Sequence, residues 1–395
     1  MTIKAGKAIR TTLLISLMVA TTALSTRLQA DTGMCGDASI TLPFTDVAAS
    51  NVFFCSIAGA FFSGLSNGTS STTYSPAATV PREQMAAFVT RTMDQSVKRG
   101  SRRAALKQFW TPTSEDDLQL TTVGSPRLVK SDGADLWVAN FTGTVSRVRA
   151  SDGKLLETWT GATNAVGVLS AQGRIFVTGT GGKLYQIDPT QPAGPVTTLT
   201  TALGVLPFEI SFDGARIWTA NQSPGSVSIV TLNPLSVSTV TAGFATPIGI
   251  LYDGANIWVT DKGTSPSNLF KLDSNGGIIQ TVTVGDSAGL PVFDGTNIWV
   301  PNQVSNTITV VRASTGTVLA TLMGNGLVTP SGTAFDGERI LVTNSNGNSV
   351  SLWNATDLTP LGSVSTGANT QPLGVCSDGL NFWITLVQTG KLARF

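Results

Sequence analysis

From about residue 118 to Phe395 the chain alternates apolar and polar residues in short runs broken by Gly, Pro, Asn and Asp. That is the pattern of many half-buried strands joined by tight turns. One phrase keeps returning: Asp-Gly, two variable residues, then apolar, aromatic and apolar positions, with Asn soon after. Copies begin at Asp132, Asp213, Asp253, Asp294, Asp336 and Asp378, and a degenerate copy puts Gln172 at the Asp position. Seven copies about 41 residues apart match one four-stranded blade each, which predicts an all-β fold, a seven-bladed β-propeller.

Within each unit, the Asp-Gly pair is expected to be the tip of a hairpin joining strands a and b, with both residues at positive φ. Strand c follows the Asn, and strand d leads to a Pro that commonly opens the next innermost strand, where ladder donors are least needed. The last unit ends at strand c with Lys391–Phe395, one outer strand short. Residues 118–124 have the strand-d pattern, so they are expected to pair with residues 390–395 and leave no long open edge.

The aromatics of strand b are Trp137, Phe176, Trp218, Trp258, Trp299 and Trp383, with Leu341 as the exception. Rings at this position are expected to pack between blades, because one repeat cannot bury its own sheet face, rather than to form a binding cage. Asn140, Asn221, Asp261, Asn302 and Asn344 end the same strands; they suit caps of backbone donors in the b-to-c turn, or a polar ring around one channel mouth.

Upstream of the repeats the pattern changes. Lys4, Lys7 and Arg10 precede an apolar stretch, Thr11 to Leu24, that is short for a bilayer span, and Ala30 offers a cleavage point, with Leu28 an imperfect minus-three residue. Residues 1–30 therefore read as a signal peptide, with an uncleaved anchor as the alternative, and no later segment is apolar enough to span a membrane. Met34 before Cys35 does not fit a lipoprotein signal. Export permits disulfides, and Cys35 and Cys55 share one small module, which makes them the natural pair; Cys376 is left as a buried, inert thiol inside a strand. The module spans 31–97 and a linker 98–117, whose basic start (Lys98, Arg99, Arg102, Arg103, Lys107) is followed by Glu115, Asp116 and Asp117. With a net charge of +1, 12% charged residues and no aromatics interleaved in that segment, nucleic acid is not an expected partner.

Two resemblances add to this reading. Residues 341–379 resemble the YVTN family of β-propeller repeats, with Val342, Thr343 and Asn344 on its signature, and the likeness extends over roughly 118–395. Residues 44–93 resemble a single S-layer homology module, with Phe44, Asp46, Val47, Gly64, Gly68, Tyr74, Pro76, Arg82 and Arg91 on its pattern. The module predicts a helix near Ala49 to Phe62, a Gly-rich loop, and a second helix from Pro81 with Met85, Phe88 and Val89 on its buried face. In that family a Thr-Arg-Ala-Glu stretch opens the second helix and its Arg holds an acidic wall polymer; here only Arg82 carries over.

The chain has no His, which removes Ser-His-Asp and Cys-His nucleophiles and His-ligated metals. It also removes the residue used by virginiamycin B lyase-like propellers, which this chain resembles in fold. No calcium-loop spacing occurs, and neither a metal nor a cofactor is expected. Glu209 stands on an innermost strand where other blades have Gly249, Gly332 and Gly374; it is a candidate cation or amine ligand, with Arg127 as its possible salt partner, or half of a structural ion pair. The expectation is an exported bacterial recognition or scaffold protein, not an enzyme, held at the envelope by its N-terminal module. Its binding face would be made of d-to-a loops and b-to-c turns near Phe141, Phe208 and Phe244, meeting a protein or glycan. The rival is a lyase or hydrolase working through carboxylates alone, which needs a converging acidic cluster at the channel mouth.

Overall fold

The computed structural model describes residues 30–35, 38–62, 66–82, 84–86 and 118–395. They belong to two compact units. The expected signal peptide, 1–30, apart from Ala30, and the expected linker, 98–117, lie outside the described residues.

In the N-terminal unit β1 (Thr32–Cys35) and β2 (Ala38–Thr41) form an antiparallel hairpin that the sequence reading did not anticipate. Helix α1 runs Phe54–Phe62, later than the expected start near Ala49. Asn51 sets that start: its Oδ1 accepts the Phe53 N–H at 2.8 Å and its carbonyl accepts the Phe54 N–H at 2.9 Å, an N-cap geometry. Cys35 and Cys55 are joined as a disulfide. Ile40, Leu42, Phe44, Phe54 and Ile57 make the core. Arg82 and Gln84–Ala86 are helical, but Met85 is exposed, not buried; Phe88 and Val89 fall outside the described residues.

Residues 118–395 form seven four-stranded antiparallel sheets. The innermost strands a are Pro126–Ser131, Ala165–Ala171, Pro207–Phe212, Pro247–Tyr252, Val292–Phe293, Pro330–Phe335 and Pro372–Ser377, in blades one to seven. The seventh sheet takes its outer strand from β3 (Gln119–Thr122), which pairs antiparallel with Lys391–Arg394 in the register Gln119↔Arg394 to Thr122↔Lys391. Both ends of the repeat array thus meet in one sheet, so the ring closes and the last strand c is not left as an open edge.

The hairpin tips differ from the expected ones. In all six Asp-Gly copies the Asp N–H donates to the carbonyl three residues on, as Asp132 does to Asp135 at 3.0 Å, so the tip is Gly and the residue after it. Only the Gly has positive φ, as at Gly133 (φ 100). The Asp side chain moves the turn one step along, because its Oδ1 accepts the N–H groups two and three residues ahead. In the degenerate copy, which lacks that carboxylate, Gln172 (φ 50) and Gly173 (φ 69) are both left-handed, the pattern first expected everywhere.

Candidate functional site

The face carrying the a-to-b hairpins is committed to structure. The Asp Oδ2 left over from the turn accepts the Trp indole N–H five residues on, at 2.7 Å, in the pairs Asp132–Trp137, Asp213–Trp218, Asp253–Trp258, Asp294–Trp299 and Asp378–Trp383. All five indoles are buried between blades. Where Leu341 replaces Trp, Asp336 turns instead to Arg339, at 2.7 Å. Where Phe176 replaces it, the acid is absent and Gln172 stands there. Burial works against ionisation of Asp132 and Asp213, yet the turn N–H groups and the indole hold both below the ordinary carboxylate range. These carboxylates sit one per blade with their own donors, and the described residues contain no group of three or more His, Cys, Asp or Glu able to hold a metal.

The Asn residues do not cap backbone as expected. Asn140, Asn221, Asn302 and Asn344 are buried, and each donates its Nδ2 to two strand-c hydroxyls, as Asn302 does to Thr307 and Thr309 at 3.0 Å. Asp261 alone at this position accepts backbone N–H groups, from Ala245, Thr246 and Gly263.

Glu209 is explained by a second coupled pair. Gly167, Gly249, Gly332 and Gly374 on strands a face Thr178, Thr260, Thr343 and Thr385 on strands b, and each Gly N–H donates to its Thr hydroxyl at 2.8 to 3.0 Å. The hydroxyl bonds onward to the neighbouring blade, Thr385 to the Arg127 carbonyl at 2.6 Å and Thr343 to the Leu373 carbonyl at 2.8 Å. A side chain on the Gly would collide there: a Cβ on Gly374 would lie 2.5 Å from the Arg127 carbonyl oxygen. The other three blades lack both members, with Leu128 and Ala139, Glu209 and Ala220, or Leu290 and Pro301 in their place. In blade three Glu209 makes the inter-blade link itself, accepting the Ile250 N–H of blade four at 2.9 Å.

Its salt partner is Lys130, at 3.6 Å, and not Arg127. Lys130 approaches from blade one, two blades away. Arg127 instead lies over the Phe141 ring, 4.8 Å from its centre, and its enclosed Nε has no partner. Burial pushes the Glu209 carboxyl above its ordinary range, with Lys130 and the Ile250 N–H opposing. A raised folded-state pKa means stability present at low pH and lost as pH rises through it. Glu209→Gln, which keeps the shape without the charge, is therefore expected to match the parent's melting temperature near pH 4 and to gain on it toward neutral pH. Thermal melts across that range check this; a Gln variant that loses ground as pH rises would contradict it.

Innermost-strand side chains of several blades also meet one another. Leu128, Ile248 and Leu290 form a buried apolar cluster from blades one, four and five, and Phe208 and Leu373 pack against it. Phe208 is thus half-buried packing, and Phe244 is buried edge-on against Phe270 at 5.7 Å and lies off the surface. Phe141 stays half-exposed beneath Arg127. Cys376 is buried, as expected, and burial pushes its thiol up to about 12, which disfavours the thiolate.

The remaining face, made of d-to-a loops and b-to-c turns, is built by one bond repeated in every blade. The residue just past the Asn position of strand b donates its N–H to the carbonyl of a residue ahead of strand a of the same blade: Phe141 to Ser125, Thr180 to Asn164, Gln222 to Leu206, Lys262 to Thr246, Gln303 to Ser287, Ser345 to Thr329 and Val387 to Gln371, at 2.8 to 3.3 Å. The acceptors Asn164, Leu206, Ser287, Thr329 and Gln371 are left-handed, a costly state for Leu and Thr that the surrounding bonds hold in place. Side chains of this inner rim are mostly half-exposed hydroxyls and carboxamides. In the N-terminal unit Arg82 is exposed and does not line the 550 Å³ cleft formed by Asn67, Gly68, Tyr74, Thr79 and Gln84.

No family model matches the chain, and no curated protein sequence matches it. Solved structures do. Hydrazine synthase of Kuenenia stuttgartiensis superposes with a TM-score of 0.60 at 15% identity, over 72% of this chain and 97% of that one. The WD40 β-propeller domain of Doa1 gives 0.60 at 14% identity, over 70% and 94%. Streptogramin B lyase gives 0.58 at 16% identity, over 70% and 97%. At these identities the likeness is one of architecture: the chain carries the β-propeller fold that enzymes and WD40 domains share.

Proposed function

We propose that this chain is an exported, envelope-associated bacterial recognition protein, whose propeller presents its loop face to a protein or glycan and whose N-terminal unit, of S-layer homology type, holds it to a wall polymer. The observation that carries this is the seven-fold bond of the loop face, which fixes fourteen rim residues while leaving most of their side chains half-exposed. A rigid surface of that kind loses little entropy on binding. The apolar cluster of the innermost strands and the separately satisfied carboxylates speak for recognition over carboxylate catalysis, as does the absence of His. The blades are read as YVTN repeats on Val342, Thr343 and Asn344.

Retention of the tagged full chain on isolated cell envelopes tests the reading. Val205→Glu with Val304→Glu, both exposed on the loop face, is expected to weaken retention at least fivefold, while Leu235→Glu with Leu361→Glu on outer strands leaves it unchanged. Equal effects from both pairs would sink the face assignment. Deleting residues 44–93 is expected to release the protein into the medium; a truncated chain that stays attached would overturn the anchoring role.

A further inference from the structure

The loop face holds four cations and gives none of them an ionic partner. Arg127 is the second residue of the first strand a; Lys183 and Lys391 open the c strands of blades two and seven; Lys262 opens the b-to-c turn of blade four. All four are half-buried, and none takes part in the ring's ion pairs. The acids of this face are Asp261, whose carboxylate accepts three backbone N–H groups, and Asp286, which accepts the Ser265 hydroxyl at 2.7 Å. Burial also holds the Lys262 ammonium below its ordinary range.

A cation drawn partly out of water without a counter-ion costs free energy, and such a cost, repeated on one face, marks where an anion arrives. Blades one, two, four and seven contribute, and Lys183 and Lys391 stand on c strands, two strands out from the innermost one, so one small anion does not meet all four. A chain with repeated negative charge does. Between the cations lie the half-buried Thr180, Gln222, Gln303 and Ser345, which offer donors and acceptors to hydroxyl groups. The geometry points to an acidic polysaccharide, a chain of carboxylated sugars, lying across the loop face with carboxylates on Arg127 and Lys262 and hydroxyls on the rim. This deepens the recognition reading and rests on it.

Affinity electrophoresis of the full chain in gels holding polygalacturonate, dextran or polyglutamate tests it. Polygalacturonate is expected to retard the protein, less so as salt is added, and dextran and polyglutamate are not. Arg127→Gln with Lys262→Gln is expected to weaken the retardation about tenfold or more. Because Arg127 packs on Phe141, Lys183→Gln with Lys262→Gln serves as a second variant that leaves that contact intact, with a smaller loss in the same direction. No retardation by polygalacturonate, equal retardation by dextran, preference for polyglutamate, or full retardation of both folded variants would each overturn the proposal. If the charge variants bind envelopes normally while Val205→Glu with Val304→Glu does not, the face assignment stands and the acidic ligand falls.

Discussion

Removing Lys391–Phe395 is expected to leave no cooperatively folded ring. Those five residues supply the strand that lies between Phe382–Leu386 and β3, so their loss unpairs both neighbours at once. Leu392, Ala393 and Phe395 are buried, and Phe395 also exchanges two backbone hydrogen bonds with Phe382, at 2.9 and 3.0 Å. Deleting a buried large side chain typically costs about 2–5 kcal/mol, and two large ones go here together with a whole ladder. That sum approaches the roughly 5–15 kcal/mol that a domain has in total. Far-UV circular dichroism melts and size-exclusion chromatography check it: the truncated chain should show no sharp transition and should elute expanded or aggregated. A truncated chain that melts cooperatively near the parent's temperature would contradict the role given to this strand.

The second large effect is expected in the Asp–Trp pairs. Trp299→Leu should destabilise the ring by about 3–5 kcal/mol, from the cavity and from the Asp294 oxygen left without its indole. Asp294→Ala should cost about 2–3 kcal/mol, because it frees the indole N–H and the turn N–H groups of Thr296 and Asn297. The double variant should cost less than the two singles together by about 1–2 kcal/mol, since the shared bond is lost only once. Urea unfolding of the four proteins measures that coupling. Strict additivity would show that the 2.7 Å contact carries no energy.

Blade six already contains one such replacement, and its compensation shows what the repeats make legible. Leu341 for Trp goes with Arg339 on Asp336, and Phe176 goes with Gln172. Both exchanges stand in the sequence, as does the Gly–Thr exchange that explains Glu209, because seven copies act as their own comparison. Blade number was readable for the same reason: the repeat starts follow strand count directly, and seven sheets are found. Glu209's partner was not readable. Lys130 reaches it from two blades away, and periodicity along the chain does not encode which side chains converge inside a channel. Phe244 was misplaced because a loop aromatic beside strand a is indistinguishable by pattern from one turned onto Phe270. The loop-face bonds are backbone to backbone, so no residue type announces them, and the unpaired cations became visible only once both faces were assigned. The β1–β2 hairpin was missed since two four-residue strands leave too little alternation to register.

Ring closure is the claim on which the placement of every face depends, and a cross-link reads it most directly. Thr122 and Lys391 are register partners at the seam. In Thr122→Cys with Lys391→Cys, oxidation is expected to join the two new thiols within one chain, seen by peptide mass spectrometry, and to raise the melting temperature, because the bridge closes a very long loop. Free thiols after oxidation, or only cross-links between chains, would show that β3 does not pair with the C-terminal strand.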